Sequence, residues 1–246
     1  MIHLFSAQGR RALDAFTPPE TLVALDYDGT LAPITDDPFR ACMQAATRQL
    51  LIRLAQRRPS VILTGRSRRD ALRLMDGVDS IEIIGNHGME SAHTSSIDLL
   101  DRVARWKTML SERIAGAEGV SLEDKGYSLS LHYRLAPDPL RAAAFAHAIA
   151  APLPQARLVG GKCVLNIVPA DAPDKGSALL QELRRTGSPR ALFVGDDVTD
   201  EDVFRLDRPE QILSVRVGRS ASSRARYFLH DRDEVDQLLA YLAPLA

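Results

Sequence analysis

A parallel α/β sheet with a smaller α+β segment inserted into it is the fold class the sequence predicts. Three observations carry that prediction. Five apolar runs of strand length end abruptly in polar or glycine-containing loops. Stretches of helical period, rich in Ala, Leu and Arg, lie between many of them, as a sheet covered on both faces requires. Between about residues 93 and 170 the pattern changes to alternation of apolar and polar residues, which belongs to a sheet with one open face.

Taken in order, TLVALDYDG (21–29) is the first buried strand. The helix over 41–58 follows, with Leu50, Leu51 and Leu54 on one stripe. SVILTGR (60–66) leads into a helix over 67–75 that Ser67 caps. IEIIGNHG (81–88) ends the first half. The middle segment opens with a helix over 97–117 and continues with two strands, VSLED (120–124) and YSLSLHYR (127–134). In the second, Leu129, Leu131 and Tyr133 alternate with Ser128, Ser130, His132 and Arg134. A proline-flanked helix within 135–154 and the strands ARLVGG (156–161) and KCVLNIVP (162–169) complete the insertion. The helix over 174–187 runs from an Asp cap to a terminal Gly. ALFVGDD (191–197) and QILSVRVG (211–218) then resume the continuous apolar pattern. The expected organisation is a core of 1–92 and 171–246, interrupted by an α+β cap domain at 93–170.

Composition narrows the function classes. The 246 residues are 45% hydrophobic and 26% charged, enough apolar surface to offset the entropy of ordering. Lys and Arg number 31 against 32 Asp and Glu, so no net positive field attracts a polyanion, and no nucleic-acid partner is expected. Cys42 and Cys163 stand far apart, which excludes a thiolate zinc site and argues against a disulfide scaffold. No apolar run approaches the roughly 18 residues that span a bilayer, and MIHLFSAQGRR has no signal-peptide pattern. A cytoplasmic protein without a membrane partner is expected.

Chemistry concentrates where the apolar runs end. Asp26-Tyr27-Asp28-Gly29-Thr30 places two carboxylates at the C-terminal end of a strand, where α/β sheets bind ligands. One can serve as nucleophile and the other in proton transfer. Gly29 lets the backbone approach a phosphate closely. Thr64-Gly65-Arg66 offers a hydroxyl and backbone N–H groups to phosphate oxygens. Lys175 stands at a helix start, where an anion is favoured. Gly195-Asp196-Asp197, with Thr199, Asp200 and Glu201, is dense enough in carboxylates to need a cation, and its oxygen ligands suit Mg²⁺. Thr199 is also expected to cap a helix that starts with Asp200 and Glu201.

These four sites in this order, DxDGT, TGR, Lys175 and GDD, resemble the haloacid dehalogenase-like phosphohydrolases. The resemblance implies a Rossmann-like core of that type. It implies Asp26 as the nucleophile that becomes an aspartyl-phosphate and Asp28 as general acid and then base. Thr64 and Lys175 would hold the non-bridging oxygens. Mg²⁺ would be bound by Asp26, the Asp28 carbonyl and Asp196, with Asp197 and Asp200 behind them. Gly65 and Arg66 would face the substrate. The physics agrees, since a carboxylate and a phosphate dianion meet only when cations neutralise the charge on the oxygens.

Residues 123–134, Asn86-His87-Gly88, Gly161-Lys162, Lys175-Gly176 and GDDVTDEDVF (195–204) resemble the trehalose-6-phosphate phosphatases in particular. That resemblance implies substrate contacts from Asn86, Glu123, Lys125, Arg134 and Lys162 on a small sugar phosphate; a monomer is expected. Where that family carries a glutamate four residues after the GK lysine, this chain has Asn166, which would still face the sugar. An amide can bond hydroxyls but lacks the charge. A phosphatase of another sugar phosphate, of the sucrose 6-phosphate or mannosyl-phosphoglycerate type, therefore stands as an alternative. So does a non-catalytic sugar-phosphate sensor, although a mere acceptor has no use for Asp28.

Overall fold

The computed structural model of the chain describes residues 1–35, 41–75, 77–92, 97–206 and 208–243. It begins with β1 (Ile2–His3), α1 (Ala7–Asp14), β2 (Leu22–Leu25), α2 (Ala45–Ala55), β3 (Ser60–Leu63), α3 (Arg68–Leu74) and β4 (Glu82–Ile84). The inserted part holds α4 (Ile97–Arg113), β5 (Ser121–Asp124), β6 (Leu129–His132), α5 (Pro139–Ala150), β7 (Ala156–Gly161) and β8 (Val164–Pro169). Then follow α6 (Lys175–Thr186), β9 (Ala191–Gly195), α7 (Glu201–Phe204), β10 (Ile212–Val217), β11 (Tyr227–Leu229) and α8 (Arg232–Leu242). Two compact units result, Met1–Ala92 with Pro173–Ala246, and His93–Ala172. The expected junction at 92–93 borders residues 93–96, which lie outside the described residues.

In the first unit seven strands form one sheet in the order β1-β11-β10-β9-β2-β3-β4, and every neighbouring pair is parallel. The chain leaves β2 toward β3 and β4 and later returns to β2's other side with β9. The carboxyl ends of β2 and β9 therefore adjoin at the switch point, where doubly wound sheets open a ligand crevice. Alternate residues of β2 feed the two faces. Val23 and Leu25 join a cluster with Leu13 of α1, Leu51 and Leu54 of α2, and Leu238 and Leu239 of α8. Leu22 and Ala24 join Leu179 and Leu183 of α6, Phe193 and Phe204. Fully burying a leucine is worth roughly 1.5–3 kcal/mol, so residues on either face resist any register shift.

The expected strands and helices are present with ends trimmed. The helix over 41–58 spans Ala45–Ala55, and the one over 174–187 starts after its Asp174 cap and stops before Gly187. β1, β11, α1 and α8 were not anticipated. His3 Nε2 lies 3.0 Å from the Glu234 carboxylate and ties β1 to α8. Thr199 does not cap a helix as expected. It lies inside a 3-10 turn at Val198–Asp200, whose cap is Asp197, and α7 follows.

The second unit has its own antiparallel sheet, β5-β6-β8-β7. One face packs Leu129, Leu131, Leu165 and Ile167 under Trp106 and Leu110 of α4 and Ala142, Ala146 and Ala150 of α5. The other face carries Glu123, Ser130, His132 and Asn166 beside Val159, Val164 and Val168. Among the described residues no helix is long and apolar enough to cross a membrane.

Candidate active site

Asp26 is the first residue beyond β2, and its N–H still donates to Val194 O at 2.9 Å. Asp196 is the first residue beyond the adjacent β9. Lys175 enters from a third direction, as the first residue of α6. Asp174 caps that helix by accepting the Ser177 N–H at 2.8 Å, which fixes where Lys175 begins. Its Nζ donates to Asp26 Oδ1 at 2.8 Å and to Asp200 Oδ1 at 2.6 Å. All three groups are buried, with exposures of 4% for Asp26, 1% for Lys175 and 0% for Asp200.

Burial dominates the electrostatics. It pushes the Asp26 carboxyl well above the ordinary carboxylate range, Lys175 pulls it down, and Asp200 and Asp196 add to the rise. Burial also works against the Lys175 ammonium, yet Asp200 and Asp26 outweigh it and hold its pKa above the usual lysine range. Asp196 is pushed up to about 7, first by burial and then by Asp200 and Asp197, against the pull of Lys175 and Arg216.

Asp26, Asp196 and Asp200 each offer a carboxylate oxygen, all within 4.8 Å of one another. Three carboxylates facing a single ammonium leave an excess of negative charge that a divalent cation matches, and hard oxygen donors suit Mg²⁺ or a cation like it. The pocket is held tightly. Gly29, at φ 79°, lies so close to Asp196 that a Cβ there would be 2.1 Å from Oδ2. Thr30 Oγ1 reaches Asp196 Oδ1 at 3.4 Å, and Asp197 N donates to Asp200 Oδ2 at 2.9 Å. Asp197 itself is exposed, so its link to the cluster runs through its backbone and its charge.

The TGR loop adjoins this group at the end of β3, the neighbour of β2. Thr64 is fully buried, and its Oγ1 accepts from Arg66 N at 3.2 Å. Gly65 rests on the His87 ring, where a Cβ would meet Cε1 at 2.5 Å. Arg66 turns its guanidinium onto Asp28, with Nε to Oδ2 at 2.7 Å and Nη2 to Oδ1 at 2.5 Å. Asn86 and His87 both hold left-handed backbone, at φ 50° and 59°. That turn lets their N–H groups reach Arg66 O (2.7 Å) and Thr64 O (2.9 Å). Left-handed non-glycine residues cost about 1–3 kcal/mol each, and they are kept where the surroundings demand them. Asn86 is fully buried and its amide donates to Glu90 Oε2 at 2.7 Å. It braces the TGR loop from behind and offers no side-chain surface to a substrate.

Of the other expected residues, Glu123 and Asn166 lie on one face of the second unit's sheet, while Lys125, Arg134 and Lys162 lie in the segments just beyond β5, β6 and β7. Glu123, Ser130 and Asn166 lie in one row across β5, β6 and β8. Glu123 Oε2 meets His132 Nε2 at 2.7 Å and Lys125 Nζ at 3.7 Å. Asn166 accepts the Ser130 hydroxyl at Oδ1 (2.7 Å), which leaves its NH₂ group on that face. Arg134 Nη2 donates to Lys162 O at 3.3 Å and steadies the β7–β8 turn that carries exposed Lys162.

Some contributors had gone unassigned. Thr30 stood in the DxDGT motif, and only its contact with Asp196 reveals its part. Arg216 of β10, whose Nη1 donates to Asp197 O at 3.3 Å, carries no sequence signal at all. His132 showed its orientation through alternation, and its bond to Glu123 emerges only from the sheet register.

The chain matches the family described as Trehalose-phosphatase over residues 24–233. It is 33% identical over 241 residues to a protein named Probable trehalose-phosphate phosphatase 4 from Oryza sativa subsp. japonica, covering 89% of this chain. The chain spans 64% of that relative's length. It is 30% identical to Trehalose 6-phosphate phosphatase RA3 of Zea mays, over 96% of this chain and 73% of the other. In fold it resembles the C-terminal domain of the C. albicans trehalose-6-phosphate phosphatase, with a TM-score of 0.80, 22% identity, and 96% and 97% of the two chains covered.

Proposed function

The chain belongs to the trehalose-phosphatase family, and on that premise we propose that it hydrolyses trehalose 6-phosphate to trehalose and phosphate through an aspartyl-phosphate. The observation that carries the reading is Lys175, buried and bonded to both Asp26 and Asp200 beside Asp196. Asp26 Oδ attacks phosphorus. Asp28 gives a proton to the leaving sugar oxygen and later takes one from the attacking water. Lys175 and the Thr64 hydroxyl meet the non-bridging oxygens, and Lys175 holds Asp26 in place beforehand. Asp26, Asp196 and the Asp28 carbonyl would hold Mg²⁺, with Asp200 behind, and the ion would supply neutralisation of charge on the phosphoryl oxygens. Glu123, Lys125, Arg134, Lys162 and Asn166 would bind sugar hydroxyls by charge-assisted and amide hydrogen bonds. Two unpaired cysteines support a reducing, cytoplasmic setting.

A second reading, hydrolysis of another sugar phosphate, is favoured by Asn166 alone. With its oxygen engaged by Ser130 it presents donors, whereas a carboxylate would present acceptors. One experiment addresses both. The purified chain with Mg²⁺ is given trehalose 6-phosphate, sucrose 6-phosphate, glucose 6-phosphate and a mannosyl-phosphoglycerate, and phosphate release is followed. The highest kcat/KM is expected for trehalose 6-phosphate, and Asp26→Asn is expected to abolish turnover with an unchanged circular dichroism spectrum. Preference for another ester selects the second reading, and no release from any of them sinks both.

A further inference from the structure

We propose that Arg66 is a positioning residue for Asp28: its fork holds the carboxylate that Asp28 becomes on giving up its proton, so the TGR arginine serves proton transfer and is not a substrate ligand. The inference rests on the phosphatase reading above and assigns Arg66 a different part from the one its motif suggested.

The two donors of the Arg66 fork reach both oxygens of the Asp28 carboxyl. Nε and Nη2 meet the two Asp28 oxygens at 2.7 and 2.5 Å, the bidentate arrangement that matches guanidinium to carboxylate. Arg66 has little freedom to leave. Its side chain is 12% exposed while that of Asp28 is 37%, so the acid is the partner open to a reacting group. Its guanidinium carbon stands 5.6 Å from the centre of the Tyr27 ring, and Tyr27 is buried with its hydroxyl donating to Ala41 O at 2.9 Å. Its backbone is held at both ends, N–H by Thr64 Oγ1 and carbonyl by Asn86 N. Two loops that begin 38 residues apart are thereby joined at the proton donor.

The step balances as follows. The bond from Asp26 Oδ to phosphorus forms while the bond from phosphorus to the sugar oxygen breaks, its electron pair going to that oxygen. The proton of the Asp28 carboxyl passes to the same oxygen, and Asp28 is left as a carboxylate. Charge thus appears on Asp28 only as the reaction proceeds, and fixed donors aimed at it stabilise the transition state more than the ground state. The same fork then keeps the carboxylate oriented to take a proton from the water that attacks the aspartyl-phosphate.

The test varies the leaving group. For wild type, Arg66→Ala, Arg66→Lys and Asp28→Asn, kcat/KM is measured on trehalose 6-phosphate, whose alkoxide needs a proton, and on p-nitrophenyl phosphate, whose nitrophenolate does not. Inhibition by inorganic phosphate is measured alongside. Arg66→Ala is expected to lose about 100-fold on the sugar phosphate and less than about fivefold on the aryl ester, in parallel with Asp28→Asn, with phosphate inhibition unchanged. Arg66→Lys keeps the charge but not the fork, so it is expected to show the same split in milder form, and it serves if the alanine variant does not fold. Equal losses on both esters with weakened phosphate inhibition would make Arg66 a phosphate ligand and overturn the proposal. Equal losses with unchanged inhibition would reduce it to a structural brace and overturn it as well. A wild-type chain inactive on every ester is a different failure, that of the phosphatase reading itself.

Discussion

Asp196 carries the sharpest consequence of single-residue electrostatics. Its carboxyl is pushed up to about 7 by burial and by its acidic neighbours, and burial raises Asp26 in the same direction. A carboxyl that binds its proton more tightly in the folded than in the unfolded chain makes the native state the more protonated one. Between the ordinary carboxylate range and about pH 7, stability therefore falls as pH rises. Lys175 has the opposite sign: its pKa is raised, so its contribution is complete below the usual lysine range and is lost only in strong alkali. A divalent cation favours the ionised carboxylates. The rise in melting temperature on adding Mg²⁺ is thus expected to be small at about pH 5 and larger at about pH 8. Asp196→Asn is expected to melt higher than wild type without Mg²⁺ at the higher pH and to lose the response. A Mg²⁺ effect independent of pH would contradict this account. The same residues show what the sequence discloses. Asp26, Asp196 and Lys175 were legible because each sits where a predicted element begins or ends. The partner of Arg66 was not, since no periodicity links loops 38 residues apart, and the burial of Asn86 follows from a left-handed turn that composition does not announce.

At the scale of elements, length decided what could be read. β1 and β11 have two and three residues, too few for any period to show, and they enter the sheet because parallel partners supply their hydrogen bonds. α8 is another matter, for Val235, Leu238, Leu239 and Leu242 form a stripe of helical period that the sequence itself carries. The strands of the second unit were read most closely, since alternation fixes both face and register. That register makes a specific point about β8. Asn166 shares its row with Ser130 and Glu123, so a carboxylate at position 166 would stand on the same face as Glu123. Asn166→Glu would offer acceptors to sugar hydroxyls where the present amide offers donors. The variant is expected to raise kcat/KM for trehalose 6-phosphate relative to glucose 6-phosphate by about tenfold, the worth of one improved charged hydrogen bond. An unchanged ratio would mean that this row does not read the sugar.

The whole molecule consists of two units with separate apolar cores, and this division can be measured. The first unit buries both faces of its parallel sheet in two clusters, while the second closes one face of its sheet with α4 and α5. The net charge of −1 averages over a site where three carboxylates crowd one lysine and a face where Lys125 and His132 meet Glu123. Any cation bound by Asp26 and Asp196 belongs to the first unit alone. Trp106 is the sole tryptophan of the chain and lies 1% exposed in the core of the second unit, so tryptophan fluorescence reports that unit. Helical ellipticity reports both. If each core melts on its own, urea unfolding followed by the two probes gives transitions that do not coincide, contrary to two-state behaviour. Mg²⁺ is then expected to move the ellipticity transition to higher urea and to leave the fluorescence transition in place. Coincident curves that shift together with Mg²⁺ would show instead that the two cores unfold as one cooperative body.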